Sequence, residues 1–287
     1  MSNYEVYFNT IYVVESLPAG DWKTGTNLFN HTIEPMVLSQ AGLFCFFRSV
    51  YSKRELFDTL NAIADECFQN NWGPLLHIEC HESEDGLWMG SDEFISWAEL
   101  KPFLLPLNTQ SGLNLLVTLA ACSGSNLVKV LLPNDRAPVW GLIGPKERIH
   151  AYELLNDYRA FYSELIVSLD ARTALEKLNG GQLDANSRYS FIPAEWLFKR
   201  AFEEYMIHFG SDSMLKQRED SIISWIANRK ALSAKAEQGI RASLKKKLRD
   251  HEFFFNKYKE QFFFIDMIPK NANRFSIGYV ELRKPAV

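Results

Sequence analysis

His81 and Cys122 each close an apolar run: Leu75-Leu76-His77-Ile78-Glu79-Cys80-His81, and Leu115-Leu116-Val117-Thr118-Leu119-Ala120-Ala121-Cys122, the latter followed by Ser123-Gly124. An imidazole within reach of a thiol can take its proton, and the thiolate attacks carbonyl carbon. Both runs have the length and composition of buried strands, and ligands of an open α/β sheet bind beyond the carboxyl ends of its strands. Neighbouring strand ends would hold the two groups at a fixed separation, and a helix after Cys122 would favour the thiolate through its dipole. His77-x-x-Cys80-His81 also has the residue types of a metal site. On a strand, however, His77 and His81 lie about 13 Å apart and Cys80 points to the opposite face, so the three cannot share one tetrahedral ion. His77, inside its strand, reads as a core histidine, and Cys45, Cys67 and Cys80 read as packing residues. Cys122 has the same competing reading, a small buried residue at a strand end.

The elements that must position this pair alternate between strand-like and helical patterns over the first 180 or so residues, the signature of a sheet with crossover helices. Tyr4 to Val14 and Gly42 to Tyr51 read as strands. Ser52-x-x-Glu55 opens a crossover helix with a capping box, and Leu56, Leu60, Ile63, Ala64, Cys67 and Phe68 keep its period. Leu87-Trp88-Met89 and Phe94-Ile95-Ser96 flank a Gly-Ser-Asp turn as a small hairpin, after which Ser96-x-x-Glu99 starts a short helix. Leu115 to Ala121 and Ala137 to Ile143 are further strands. Pro145 suits the first position of a long helix with Ile149, Tyr152, Leu155, Tyr158, Tyr162, Leu165 and Ile166 on its apolar face. Gly180-Gly181 is the expected boundary, giving a domain over 1–180 and a mostly helical region over 181–287 that ends in a strand pair, Phe262 to Ile268 with Arg274 to Leu282.

A strand ending in histidine, a hairpin and helix, then a strand ending Ala-Cys before Ser-Gly, with His81 and Cys122 spaced 41 residues apart, resembles the caspase-like cysteine peptidases, closest to their CHAT branch. The resemblance covers about Tyr4 to Leu178. It implies a three-layer α/β/α, mostly parallel caspase-like sheet with a helical C-terminal extension, His81 as general base and Cys122 as nucleophile. It also implies an oxyanion hole from the backbone N–H groups of Glu82 and Cys122, and it requires no third catalytic residue and no cofactor or metal. Glu82 stands where the family usually has glycine. It keeps the N–H but adds bulk and negative charge beside a developing oxyanion. Two functions follow: a cysteine endopeptidase acting on a protein substrate, activated by a partner or signal as in a prokaryotic antiviral defence module, or a catalytically weakened scaffold that binds protein. Asp92 and Asp135, with Glu82, are acidic candidates for a pocket that would select Lys or Arg before the cut.

The 287 residues carry a formal charge of −4, so neither nucleic acid nor an anionic membrane is attracted globally. Lys245-Lys246-Lys247-Leu248-Arg249, near Phe253-Phe254-Phe255 and Phe262-Phe263-Phe264, interleaves basic and aromatic residues as single-strand binders do, but nearby Asp250, Glu252 and Glu260 weaken the field. A solvated helix face over a phenylalanine core is the preferred reading, with nucleic acid not expected and a regulatory protein partner expected. The uncharged stretch from Pro102 to Val128 is broken by Pro106 and polar residues and reads as core rather than a membrane span. Few cysteines without paired spacing and no secretory pattern at the N-terminus suggest a cytoplasmic protein.

Overall fold

The computed structural model describes residues 6–120, 127, 129–181, 183–184 and 186–279. The chain divides into two compact units, Met1–Val130 with Ala137–Ala194, and Leu131–Arg136 with Glu195–Val287.

The first unit is α/β. Its strands are β1 (Thr10–Ser16), β2 (Phe44–Ser49), β3 (Pro74–Ser83), β4 (Gly86–Trp88), β5 (Phe94–Ser96), β6 (Leu116–Leu119), β7 (Gly141–Pro145) and β8 (Tyr189–Pro193). The sheet order is β2-β1-β3-β6-β7-β8, parallel throughout except for β8, and the antiparallel β4–β5 hairpin hangs from the end of β3. The central strands are buried on both faces, which is why β1 and β3 read as near-continuous apolar runs.

Helices cover both faces. On one side lies α3 (Lys53–Asn70), whose Glu66 accepts from the Tyr12 hydroxyl of β1, with α4 (Trp97–Gln110) packed on it through stacked Phe57 and Phe103. Both capping boxes form, Ser52 with Glu55 and Ser96 with Glu99. On the other side α1 (Thr24–Leu28) runs through a π-type turn at Phe29–Ile33 into α2 (Glu34–Leu38), packed against α5 (Ala151–Ser168). Helix α6 (Ala171–Leu178) packs on α5. The result is a three-layer α/β/α arrangement.

Several expectations are corrected. Phe68 lies off the buried stripe of α3, 78% exposed. Pro145 ends β7 instead of opening a helix: it pairs with Tyr189 of β8 beyond the last residue matched by β6, where its missing N–H breaks no bond to that strand. The helix starts only at Ala151, and its buried stripe uses Leu154 and Phe161 where Tyr152 was expected. The sheet also continues past Gly180-Gly181, because β8 completes it. The uncharged stretch is the C-terminal half of α4 followed by β6, and no helix among the described residues is long and apolar enough to cross a membrane.

The second unit is helical, built from α7 (Ala194–Phe209, its first residue belonging to the first unit), α8 (Asp212–Ala227), α9 (Ala234–Leu248), α10 (His251–Phe262) and α11 (Asn271–Arg274). Its core is a cluster of Phe198, Phe202, Phe255, Phe262, Phe263 and Phe275, all buried. The expected strand pair does not form among the described residues. The Asp250 side chain caps α10 by accepting from the Phe253 N–H, so the first aromatic run folds on a helical period, and the second is consumed by the end of that helix and a turn with Phe264 at φ 58°. Lys245, Lys246 and Lys247 are exposed on the last turn of α9, where cations complement the helix dipole.

Candidate functional site

A cavity of about 700 Å³ opens in the first unit at the carboxyl ends of β1, β3, β6 and β7, the edge the sequence pointed to. His81 lines it from β3 and Ala120 from just beyond β6. The Ala120 N–H donates to Ile78 O at 3.0 Å, which ties the chain to β3 two residues before Cys122. Cys122 itself lies outside the described residues.

His81 is largely exposed, and its Nε2 lies 2.7 Å from Oδ2 of Asp21. A carboxylate only accepts, so the ring nitrogen in this contact, Nε2, is the donor. Asp21 comes from the β1–α1 loop, and Lys23 Nζ holds that loop by donating to the carbonyls of Leu17 and Pro18 at 2.5 and 3.0 Å. The resemblance required no third residue, and Asp21 was not singled out. The signal was available: Pro18-Ala19-Gly20-Asp21 is a turn at the carboxyl end of a strand, the same rule that selected His81.

Beneath the cavity floor lies a buried polar chain. Glu79, 4% exposed, accepts from the Thr24 hydroxyl at 2.5 Å and contacts His77 Nε2 at 3.2 Å. His77 Nδ1 meets the Thr118 hydroxyl at 2.8 Å, and Thr118 meets the Tyr162 hydroxyl at 2.7 Å. Burial pushes the Tyr162 phenol well above its ordinary range, so it remains a protonated partner. Next to this chain the buried Glu15 accepts from the N–H and hydroxyl of Thr26 at 2.9 and 2.8 Å. Gly25 makes room for both carboxylates: a Cβ there would sit 3.0 Å from Glu15 Oε1 and 3.1 Å from Glu79 Cβ. His77 is therefore a satisfied core histidine, and its partners differ from those of His81 on the same strand face.

Glu82 is half-buried and lines the cavity. Asp92 does not line it; it occupies the β4–β5 turn in the left-handed region, φ 63°, with its N–H donating to Met89 O. Asp135 belongs to the second unit, where its carboxylate accepts from the Leu132 N–H. The acidic groups that do line the cavity are Asp21, Glu79 and Glu82. Arg148 and His150 line it too, just ahead of α5, and the sequence reading had passed over both.

No family model matches this chain, and no curated protein matches it either. Among the described cysteines, burial pushes the thiols of Cys45 and Cys67 up to about 11, and that of Cys80 well above the ordinary range, with the Glu82 and Glu79 carboxylates adding to it. They are packed thiols without nucleophilic character at neutral pH.

Proposed function

We propose that the protein is a caspase-like cysteine endopeptidase in which His81 is the general base, Cys122 the nucleophile and Asp21 the residue that orients His81. The observation that carries this reading is the His81–Asp21 pair, exposed in a cavity whose wall includes Ala120, two positions before Cys122 in the sequence. In this mechanism Nδ1 of His81 takes the Cys122 thiol proton and the thiolate sulfur bonds to the peptide carbonyl carbon. The backbone N–H groups of Glu82 and Cys122 hold the oxyanion. Collapse breaks the C–N bond, and the departing amine takes the proton from His81. Water, deprotonated by the same imidazole, then hydrolyses the thioester and returns the thiol. Asp21 offsets the charge of the imidazolium formed at each stage.

A cationic side chain, Lys or Arg, before the cut belongs to the same reading, with Asp21, Glu79 and Glu82 among the residues that line the cavity. A cytoplasmic, partner-activated peptidase, in the manner of a prokaryotic antiviral defence module, fits the added helical unit. The test is a library of fluorogenic peptides together with Cys122→Ala: turnover of Lys or Arg peptides that disappears in the variant supports the reading. The alternative, a scaffold that binds protein with weakened catalysis, is favoured by Glu82, which lines the cavity where the resembled family has glycine. Turnover that emerges only in Glu82→Gly would decide for it.

A further inference from the structure

The second unit holds a pocket of about 530 Å³ that the proposed chemistry does not use, a volume in the range of small-molecule sites. Its walls are the rings of Tyr205 and Phe209 from α7 and Tyr258 from α10, closed by Leu132 and Pro133. The rings form a connected set, with Tyr205 and Phe209 centroids 5.5 Å apart and Tyr205 and Tyr258 edge to face at 5.6 Å. Arg218 of α8 is the charged group in the lining, and no carboxylate accompanies it there. Its guanidinium donates to the Tyr205 hydroxyl at 2.8 Å, hydrogen-bonds the Tyr258 hydroxyl and sits 5.8 Å from the Phe254 centroid. Arg136, Arg200, Arg241 and Arg249 of this unit reach carboxylates, whereas Arg218, like Arg229 over the Trp225 ring, meets aromatic side chains. Arg218 meets the two phenols and the Phe254 ring while half-buried, and a guanidinium taken partly out of water gains most from an anion.

We propose that this pocket binds a small anion with a planar aromatic body, its ring between the tyrosine and phenylalanine walls and its carboxylate or phosphate on Arg218. Ser221 and Gln217 line the same pocket and supply a hydroxyl and an amide for polar edges. Fixed phenol donors hold the guanidinium in place before the ligand arrives, which reduces the ordering cost of binding. Rings at the walls and one cation select against a bare inorganic anion and against a neutral aromatic equally. The inference is independent of the peptidase reading, because its measurement is binding and needs no turnover.

Titration calorimetry on the full chain distinguishes the sources of such an anion, with adenosine 5′-monophosphate and 2-naphthoate as the two anionic aromatics and adenosine and inorganic phosphate as controls. One or both of the anionic aromatics should bind once per chain, at least tenfold tighter than either control. Binding of the nucleotide alone, or of the naphthoate alone, identifies the source. Arg218→Gln should weaken binding at least tenfold. Should that variant unfold, Ser221→Trp, which fills the pocket from an exposed position and leaves the cation in place, should abolish binding while circular dichroism stays unchanged. The proposal is overturned if neither anionic aromatic binds in the millimolar range, if the controls bind as well, or if a folded variant of either kind binds as the parent does.

Discussion

Asp21 is the residue on which the candidate chemistry turns, since the imidazole it holds is otherwise an exposed side chain free to rotate. Asp21→Asn keeps the shape but removes the charge that offsets the imidazolium. The rate of peptide turnover should fall on the order of 10²-fold, with KM little changed, because the interaction strengthens only as His81 becomes charged. A fall in KM-dependent binding alone would assign Asp21 to the substrate pocket instead. The cysteines give a second test at the same scale. With thiols at about 11, Cys45 and Cys67 carry on the order of one thiolate in a thousand near pH 8, and their alkylation should climb about tenfold per pH unit up to that value. On the proposed mechanism, in which His81 deprotonates Cys122, that thiol should label with dilute iodoacetamide near neutral pH far ahead of them. Mass spectrometry of the folded protein that finds Cys45 or Cys80 labelled as quickly would remove the case for an activated nucleophile.

At the scale of elements, the polar chain from Glu79 through His77 and Thr118 to Tyr162 ties β3, β6 and α5 together under the cavity. Thr118→Val leaves His77 Nδ1 and the Tyr162 hydroxyl without that partner in a site with no exposure, and should lower stability by about 1–3 kcal/mol. Gly25→Ala drives a methyl against Glu15 and the Glu79 stem, and should cost a similar amount through displaced hydrogen bonds to Thr26. Thermal denaturation measures both; an unchanged Tm in either would show that the carboxylates reposition freely. These elements differ in how plainly the sequence announced them. Both capping boxes, the hairpin at Gly90-Ser91-Asp92 and the apolar runs of β3 and β6 were legible because their signals are local: a serine and a glutamate three apart, a turn, an uninterrupted buried strand. Pro145 misled because it suits a helix start and a strand end alike, and only the partner β8, some forty residues on, decides between them. The Phe262-Phe263-Phe264 run misled for a related reason. Aromatics favour strands, but here packing against Phe198 outweighs that preference. Asp21 could be found from its turn at the end of β1, but Arg148 and His150 lie on a loop where no periodicity marks which residue faces the cavity.

At the scale of the whole chain, the stretch between β6 and β7 belongs to two bodies. It begins in the first unit, where Ala120 lines the cavity, and residues Leu131–Arg136 are part of the second. Arg136 fastens that part with a two-pronged contact to Asp266, 2.9 and 2.6 Å, while Gln261 of α10 donates to Asn134 O at 2.6 Å. The hydrogen bond from Arg136 holds the Asp266 carboxyl below its ordinary value. A carboxyl lowered in the folded state contributes stability that is present above its unfolded pKa and is lost as the pH falls through the folded one. The fastening should therefore hold at neutral pH and release only in acid, below the usual carboxylate range. Both side chains are partly exposed, so the effect on global stability is small, within about 1 kcal/mol. The local effect is larger, because Arg136 also donates to Gln261 O at 3.2 Å and lies over the Phe264 ring, so one side chain carries several of the segment's contacts. Arg136→Ala should leave the Tm within a few degrees of the parent and yet expose residues 131–136 to limited proteolysis at neutral pH. Asp266→Asn, which retains an acceptor but no charge, should fall between the two. Reversing Lys245, Lys246 and Lys247 to Glu, on the exposed turn of α9, should by contrast change neither cleavage of this segment nor alkylation of Cys122. If the segment resists proteolysis equally in all of these variants, the Asn134 contact alone retains it, and the ion pair is a surface decoration.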